Sequence, residues 1–216
     1  MRIGRVIVPP RPAEVAGRRR LDDEFATAGG DAIELGAAVA CIEARRHRAG
    51  EEQGARLEFV VQRTNERTEL RDRTLGIIGM GGIGRSLLRL LSAFGMQQPL
   101  VYDPHLSADV ISETGARQVS LNELLSSADF VSLHCPLNDS TRNLIGKQEL
   151  GLMKSTAYLV NTARGGIVNE SALVEALSQN KIAGAALDCF ADEPILTPTP
   201  LTQLDNVLLA PHSIAW

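Results

Sequence analysis

Aromatic residues make up only 4% of the 216 residues, and cysteine occurs three times. Cys41, Cys135 and Cys189 are odd in number and far apart, with no C-x-x-C pair among them. That excludes a disulfide framework and the usual zinc spacings, and it suits small buried thiols in a reducing compartment. No apolar run reaches the roughly 18 residues a membrane span needs, and no cleavable signal pattern opens the chain. The expectation is therefore a cytoplasmic chain with no membrane contact. Basic excess is lacking too: the formal net charge is −4, which leaves no electrostatic footprint for direct nucleic-acid binding.

Charge is nevertheless uneven. Arg2, Arg5, Arg11, Arg18, Arg19 and Arg20 face a single acid, Glu14, within the first twenty residues. Pro9, Pro10 and Pro12 break any amphipathic targeting helix there, so residues 1–30 read as a basic, disordered lead-in. Residues 31–72 read as a junction helix and connector. Within them, Asp31–Arg48 carries Ile33, Leu35, Val39 and Ile42 among small residues, a pattern that implies burial on several sides. Asp31 at its start and Arg45, Arg46 and Arg48 at its end complement the helix dipole.

From residue 73 to 216 the text becomes regular, and with 44% hydrophobic residues the chain has material for a core. Short apolar runs at Leu75–Gly79, Pro99–Tyr102, Arg117–Val119, Phe130–Leu133, Ala157–Val160, Ile182–Leu187 and Val207–Leu209 read as strands. Helical stretches fall between several of them at Ile83–Phe94, Leu121–Ala128, Lys147–Met153 and Glu170–Ser178. Asn169 is placed to cap the last of these helices and Asn180 to end it. Apolar runs of this length between helices are what a parallel sheet covered on both faces requires. The expected fold is α/β, a doubly wound parallel sheet of the Rossmann type.

The first run leads straight into Gly79-Met80-Gly81-Gly82-Ile83-Gly84. Gly79 permits a tight turn, Gly81 lets backbone approach a pyrophosphate, and Gly84 lets the following helix pack against the strand. The helix start then offers free N–H groups to phosphates. The second run ends in Asp103, nineteen residues beyond Gly84, near the spacing at which an acid accepts hydrogen bonds from the adenosine ribose. An Asp there repels a 2′-phosphate, so the expected cofactor is NAD. A Cys/His nucleophilic pair at His134 and Cys135 is set aside, because neighbours on a strand point to opposite faces. His47 and His105 belong to no ligand cluster, and no metal is expected.

Thr74–Gly84 (TLGIIGMGGIG), Val131–Leu137 (VSLHCPL), Leu159–Gly166 (LVNTARGG), Ala183–Asp188 (AGAALD) with Asp192-Glu193-Pro194, and Ala210–Trp216 (APHSIAW) resemble successive blocks of the D-isomer-specific 2-hydroxyacid dehydrogenases. The resemblance is close over about residues 70 to 216 and loose over Asp31–Arg48. It implies that Arg164 binds the carboxylate and carbonyl of a 2-keto acid, that His212 is the acid/base, and that Glu193 pairs with His212. The chemistry suits those side chains. Guanidinium matches a planar carboxylate, and imidazole beside a carboxylate can supply a proton to the alkoxide that hydride transfer leaves. The resemblance further implies cofactor contacts at Gly79, Gly81, Gly82, Ile83, Gly84, Asp103, Cys135, Pro136, Thr162, Ala163, Arg164, Asp188 and His212. A homodimer is expected from the family and from the apolar stretch Ile33–Ile42.

The sequence also departs from that family. Its members carry a substrate domain of roughly a hundred residues ahead of the cofactor domain, and a helix that crosses back after the catalytic His. Here only residues 1–30 precede the junction-like helix, and Trp216 lies four residues past His212. The substrate half is therefore expected to be largely missing. Two functions remain open: an NAD-dependent oxidoreductase of small D-2-hydroxy acids, and an NAD(H)-binding dimeric scaffold, corepressor-like, with little or no turnover. Glu193 speaks against the formate dehydrogenases, which use Gln in that role. The ending His-Ser-Ile-Ala-Trp resembles the branch that includes glyoxylate/hydroxypyruvate reductases and the C-terminal-binding proteins.

Overall fold

The computed structural model describes residues 70–195, 197–210 and 212. The lead-in, the helix expected at Asp31–Arg48 and nearly all of the connector lie outside the described residues, with Cys41 and His47.

Seven parallel strands form one sheet in the order β3-β2-β1-β4-β5-β6-β7. They are β1 Leu75–Ile78, β2 Leu100–Tyr102, β3 Arg117–Gln118, β4 Phe130–Leu133, β5 Tyr158–Asn161, β6 Gly184–Leu187 and β7 Val207–Leu209. Helices α1 (Gly82–Leu91), α2 (Ala108–Ser112), α3 (Leu121–Ser127), α4 (Lys147–Leu152) and α5 (Glu170–Ser178) connect them. The strand order reverses direction between β1 and β4, which opens a crevice at the carboxyl ends where sheets of this kind bind ligands.

The strands and helices expected after residue 73 are present, with two physical differences. Helix α2 is absent from the sequence reading because it is five residues long and buries one of them, Ile111; so short a stretch gives no periodic signal. The helix expected through Phe94 closes instead as a 3-10 turn over Ser92–Phe94, followed by Gly95 at φ 68°.

Alternation along the strands divides the core. Leu75 and Ile77 of β1 and Phe130 of β4 join Leu88 of α1 and Ile111 of α2 on one face. Ile78, Val131 and Leu133 join Leu124, Leu150 and Leu173 of α3, α4 and α5 on the other. Strands that bury both faces need apolar residues throughout, and β1 and β4 are buried at every position. Side-chain caps set several helix starts: Ser120 accepts from the Glu123 amide, and Asn169 accepts from the Ala172 amide at 2.9 Å, as its position implied. Asn180 leaves α5 in the left-handed region at φ 50°.

Asp129 ties down the amino ends of three strands. Its carboxylate accepts from the Thr74 amide at 2.8 Å and from Lys154 at 3.1 Å, and its carbonyl accepts from the Tyr158 amide. At 9% exposure the carboxylate has little water to fall back on. Asp129→Ala leaves the Thr74 amide without its acceptor and should cost about 2 kcal/mol. Asp129→Asn keeps an acceptor and should cost about half as much. Urea midpoints at unchanged m-value check this; an alanine variant as stable as the parent would refute the assignment.

Candidate cofactor and catalytic site

One row of residues crosses the sheet in register: Tyr102, Ile78, Leu133, Asn161, Leu187 and Leu209. The residue that follows each member of the row opens one wall of the candidate site. These are Asp103, Gly79, His134, Thr162, Asp188 and Ala210, with Cys135, Arg164, Glu193 and His212 a few positions on.

Gly79 has φ 92°, and a Cβ there would lie 2.7 Å from the Cys135 amide nitrogen. The β1 and β4 loops therefore touch backbone to backbone. At Gly84 a Cβ would meet the Gly79 carbonyl at 2.7 Å, so α1 starts hard against its own strand. At Gly81 and Gly82 a Cβ would meet no described atom within 4 Å. The first turn of α1 holds no acid and no side-chain cap, and Ile83 is 70% exposed. Open space over two glycines beside uncapped amides fits a pyrophosphate.

Asp103 does something the sequence did not reveal. One carboxylate oxygen accepts from the Met80 amide at 2.8 Å and the other from the His105 amide at 2.9 Å. It clamps the glycine loop from the end of β2, with its remaining lone pairs available to a ligand.

On the far side of the crevice, buried Asn161 shapes the turn after β5. Its oxygen accepts from the Ala163 amide at 3.1 Å and its nitrogen donates to the Arg164 carbonyl at 3.0 Å. Arg164 is exposed and donates one bond to the Ala163 carbonyl at 2.7 Å. Both backbone groups of Ala163, expected as ligand contacts, are thus partnered within the chain. Asp188 is 2% exposed, and its amide donates to the Asn161 carbonyl. Glu193 donates nothing and accepts twice: from the Phe190 amide at 2.7 Å and from His212 Nδ1 at 2.7 Å. His212 stands at φ 49°, in the left-handed region where His is among the more tolerant residues. The structure brings Glu193 and His212 together. Arg164 and Glu193 both act on the buried Cys189, whose thiol is pushed up to about 12 by burial, then by the carboxylates of Glu193 and Asp188, with Arg164 pulling the other way.

Cys135 is half-buried, not fully buried as expected, and burial followed by the Asp103 carboxylate raises its thiol. His134 turns to Ser132, whose hydroxyl lies 2.9 Å from its Nε2. His105 is exposed. The residues missed from sequence are Asn161, Gly165 and Glu170. A Cβ on Gly165 would overlap the Phe190 carbonyl, so only glycine lets the Arg164 loop and the Phe190 turn meet. The visible signal was the pair Gly165-Gly166 directly after Arg164. Among the described residues no cluster of His, Cys, Asp and Glu is arranged to hold a metal, and no helix is long and apolar enough to cross a membrane.

A doubly wound sheet with a glycine loop and an acid at its switch point defines a dinucleotide-binding domain. A family model described as D-isomer specific 2-hydroxyacid dehydrogenase, NAD binding domain, matches residues 37–213. The chain belongs to that family and carries its NAD-binding domain. It is 50% identical over 146 residues to a glyoxylate reductase of Aeropyrum pernix, covering 67% of this chain and 43% of that one. It is 46% identical over 145 residues to a D-3-phosphoglycerate dehydrogenase of Methanocaldococcus jannaschii, covering 67% and 27%. Among solved structures, a D-isomer specific 2-hydroxyacid dehydrogenase from Lactobacillus delbrueckii ssp. bulgaricus in its NAD-complexed form superposes with TM-score 0.63 at 36% identity, covering 70% and 49%. The chain thus spans less than half the length of each of these three relatives.

Two predictions follow from this geometry. Gly81→Val should leave thermal stability unchanged, since no described atom is near, yet weaken NADH binding by more than about tenfold because the branched side chain fills the space over the loop. A parallel drop in melting temperature would mean that the loop, not the ligand, was disturbed. Burial lowers the His134 imidazole to about 4, whereas the unfolded chain titrates near 6.5. Between those values the unfolded state binds the extra proton, so stability falls as pH drops from about 6.5 to 4, by at most about 3 kcal/mol. His134→Gln should flatten that part of a urea-midpoint profile; an unchanged slope would contradict the assignment.

Proposed function

We propose that this chain serves the NAD-dependent interconversion of a small D-2-hydroxy acid and its 2-keto acid, glyoxylate or hydroxypyruvate being the size of substrate meant. The observation that carries the proposal is the 2.7 Å bond between Glu193 Oε2 and His212 Nδ1. With Nδ1 committed to the carboxylate, Nε2 is the nitrogen left to exchange a proton with substrate oxygen. Arg164 uses one of its five donors on the Ala163 carbonyl, which leaves the guanidinium able to fork onto a carboxylate.

The nicotinamide supplies or accepts the hydride when bound. This chain's own residues do the rest. The loop Gly79–Gly84 and the start of α1 hold the pyrophosphate, and Asp103 accepts from the ribose. Asp188, Cys135, Pro136 and Thr162 line the nicotinamide side. Arg164 anchors the keto acid, His212 delivers the proton in reduction and removes it in oxidation, and Glu193 orients the ring. Homodimer assembly, a cytoplasmic location and a separate lead-in at residues 1–30 belong to the same proposal and rest on the sequence and the family.

Fluorescence titration should give tighter binding of NADH than NADPH, because Asp103 faces the extra phosphate; equal affinities would remove Asp103 from the ribose. NADH oxidation against a panel of 2-keto acids should show turnover that His212→Ala reduces by about a hundredfold or more without loss of NADH affinity. Turnover untouched by His212→Ala would overturn the mechanism. Good NADH affinity with no turnover on any acid would favour the NAD(H)-binding scaffold.

A further inference from the structure

We infer that Glu170 is a positioning residue for the Glu193–His212 pair, because its carboxylate holds the turn from which Glu193 projects. The inference rests on the roles proposed above for Glu193 and His212.

The turn after β6 presents two successive amides, and each goes to a different carboxylate. The Phe190 amide donates to Glu193 Oε1 at 2.7 Å, and the Ala191 amide donates to Glu170 Oε1 at 2.6 Å. Glu193 then has only Oε2 for His212. The Phe190 carbonyl, between those amides, lies against Gly165 with no room for a Cβ. The turn is therefore pinned from the Arg164 loop on one side and from the start of α5 on the other. Displacing Ala191 moves Phe190 with it, and Glu193, bonded to the Phe190 amide, cannot keep both oxygens engaged.

The side-chain cap of the α5 start is another residue. Asn169 already caps α5 by accepting from the Ala172 amide, so the Glu170 side chain is committed to a residue twenty-one positions away. Charge alone does not account for the arrangement either. An acid anywhere in the first turn satisfies the helix dipole, whereas reaching the Ala191 amide needs the length of Glu. Because the bond is exposed to water, its direct worth to stability is small, while small displacements of a proton-handling group cost rate heavily.

The test separates reach from charge. Glu170→Asp keeps the charge and suits a helix start, but its side chain is shorter by one methylene and falls short of Ala191. Glu170→Gln loses the charge and keeps an acceptor at the same reach. Nitrogen-15 NMR of the His212 imidazole in the full chain reads the pairing directly, with no requirement for turnover, and Glu193→Ala gives the signature of an unpaired ring. Glu170→Asp should move the Nδ1 and Nε2 shifts a substantial part of the way to the Glu193→Ala values, and Glu170→Gln should hold them near those of the parent. If the assay above shows turnover, Glu170→Asp should lower kcat by about tenfold with KM for NADH unchanged. Parent-like His212 shifts in Glu170→Asp, or equal perturbation by Asp and Gln, would overturn the inference. His212 shifts unchanged in Glu193→Ala would mean that Glu193 does not hold the ring, removing the proposed pairing and this inference with it.

Discussion

Parallel pairing in register is the constraint on which this structure depends. Six strands end on one row, from Tyr102 to Leu209, so six loops leave the sheet at the same level and on the same side. A one-residue slip of any strand would send its apolar set to the wrong face and its loop residue to the wrong height. The core that prevents such slips lies on both faces of the sheet, and Asp129 fastens three of the strands at their other ends. Precision at the site is therefore set at the opposite edge of the sheet as well as at the site itself.

Above that row, the loops are locked to one another and not only to their own strands. Asp103 at the end of β2 holds the Met80 amide after β1. Gly79 presses on the Cys135 backbone after β4, and Gly165 after β5 presses on Phe190 after β6. Each lock uses either a carboxylate accepting backbone amides or a glycine with no space for a side chain. Both devices leave the backbone fixed while keeping side-chain volume out of the crevice, which is what an extended dinucleotide requires.

Charge is arranged with similar economy. Four ionisable groups, Glu193, Asp188, Arg164 and Glu170, act on the buried Cys189 thiol, and three of them are carboxylates that raise it. Arg164 is the one cation among those four groups, and it pulls the thiol the other way. Burial does most to keep Cys189 an inert thiol, and the neighbouring carboxylates add to it.

The amino-acid sequence by itself determined the parallel sheet, the placement of β1, β4 and β5, the glycine loop with Asp103, and the cap at Asn169. All of these are written in local patterns: apolar runs of strand length, spacings between glycines, a capping residue before a helix. It also carried Arg164, Glu193 and His212 through resemblance to a family. Only the tertiary structure decided what those residues touch. That Asp103 clamps the Met80 amide, that Glu193 spends one oxygen on Phe190, and that Glu170 reaches Ala191 depend on backbone groups brought near by separate crossovers. Backbone amides are the same at every non-proline residue, so nothing in the letters marks which one a side chain will meet. Helix α2 escaped for a related reason, since its five residues follow from the fixed ends of β2 and β3 and not from a periodicity of their own.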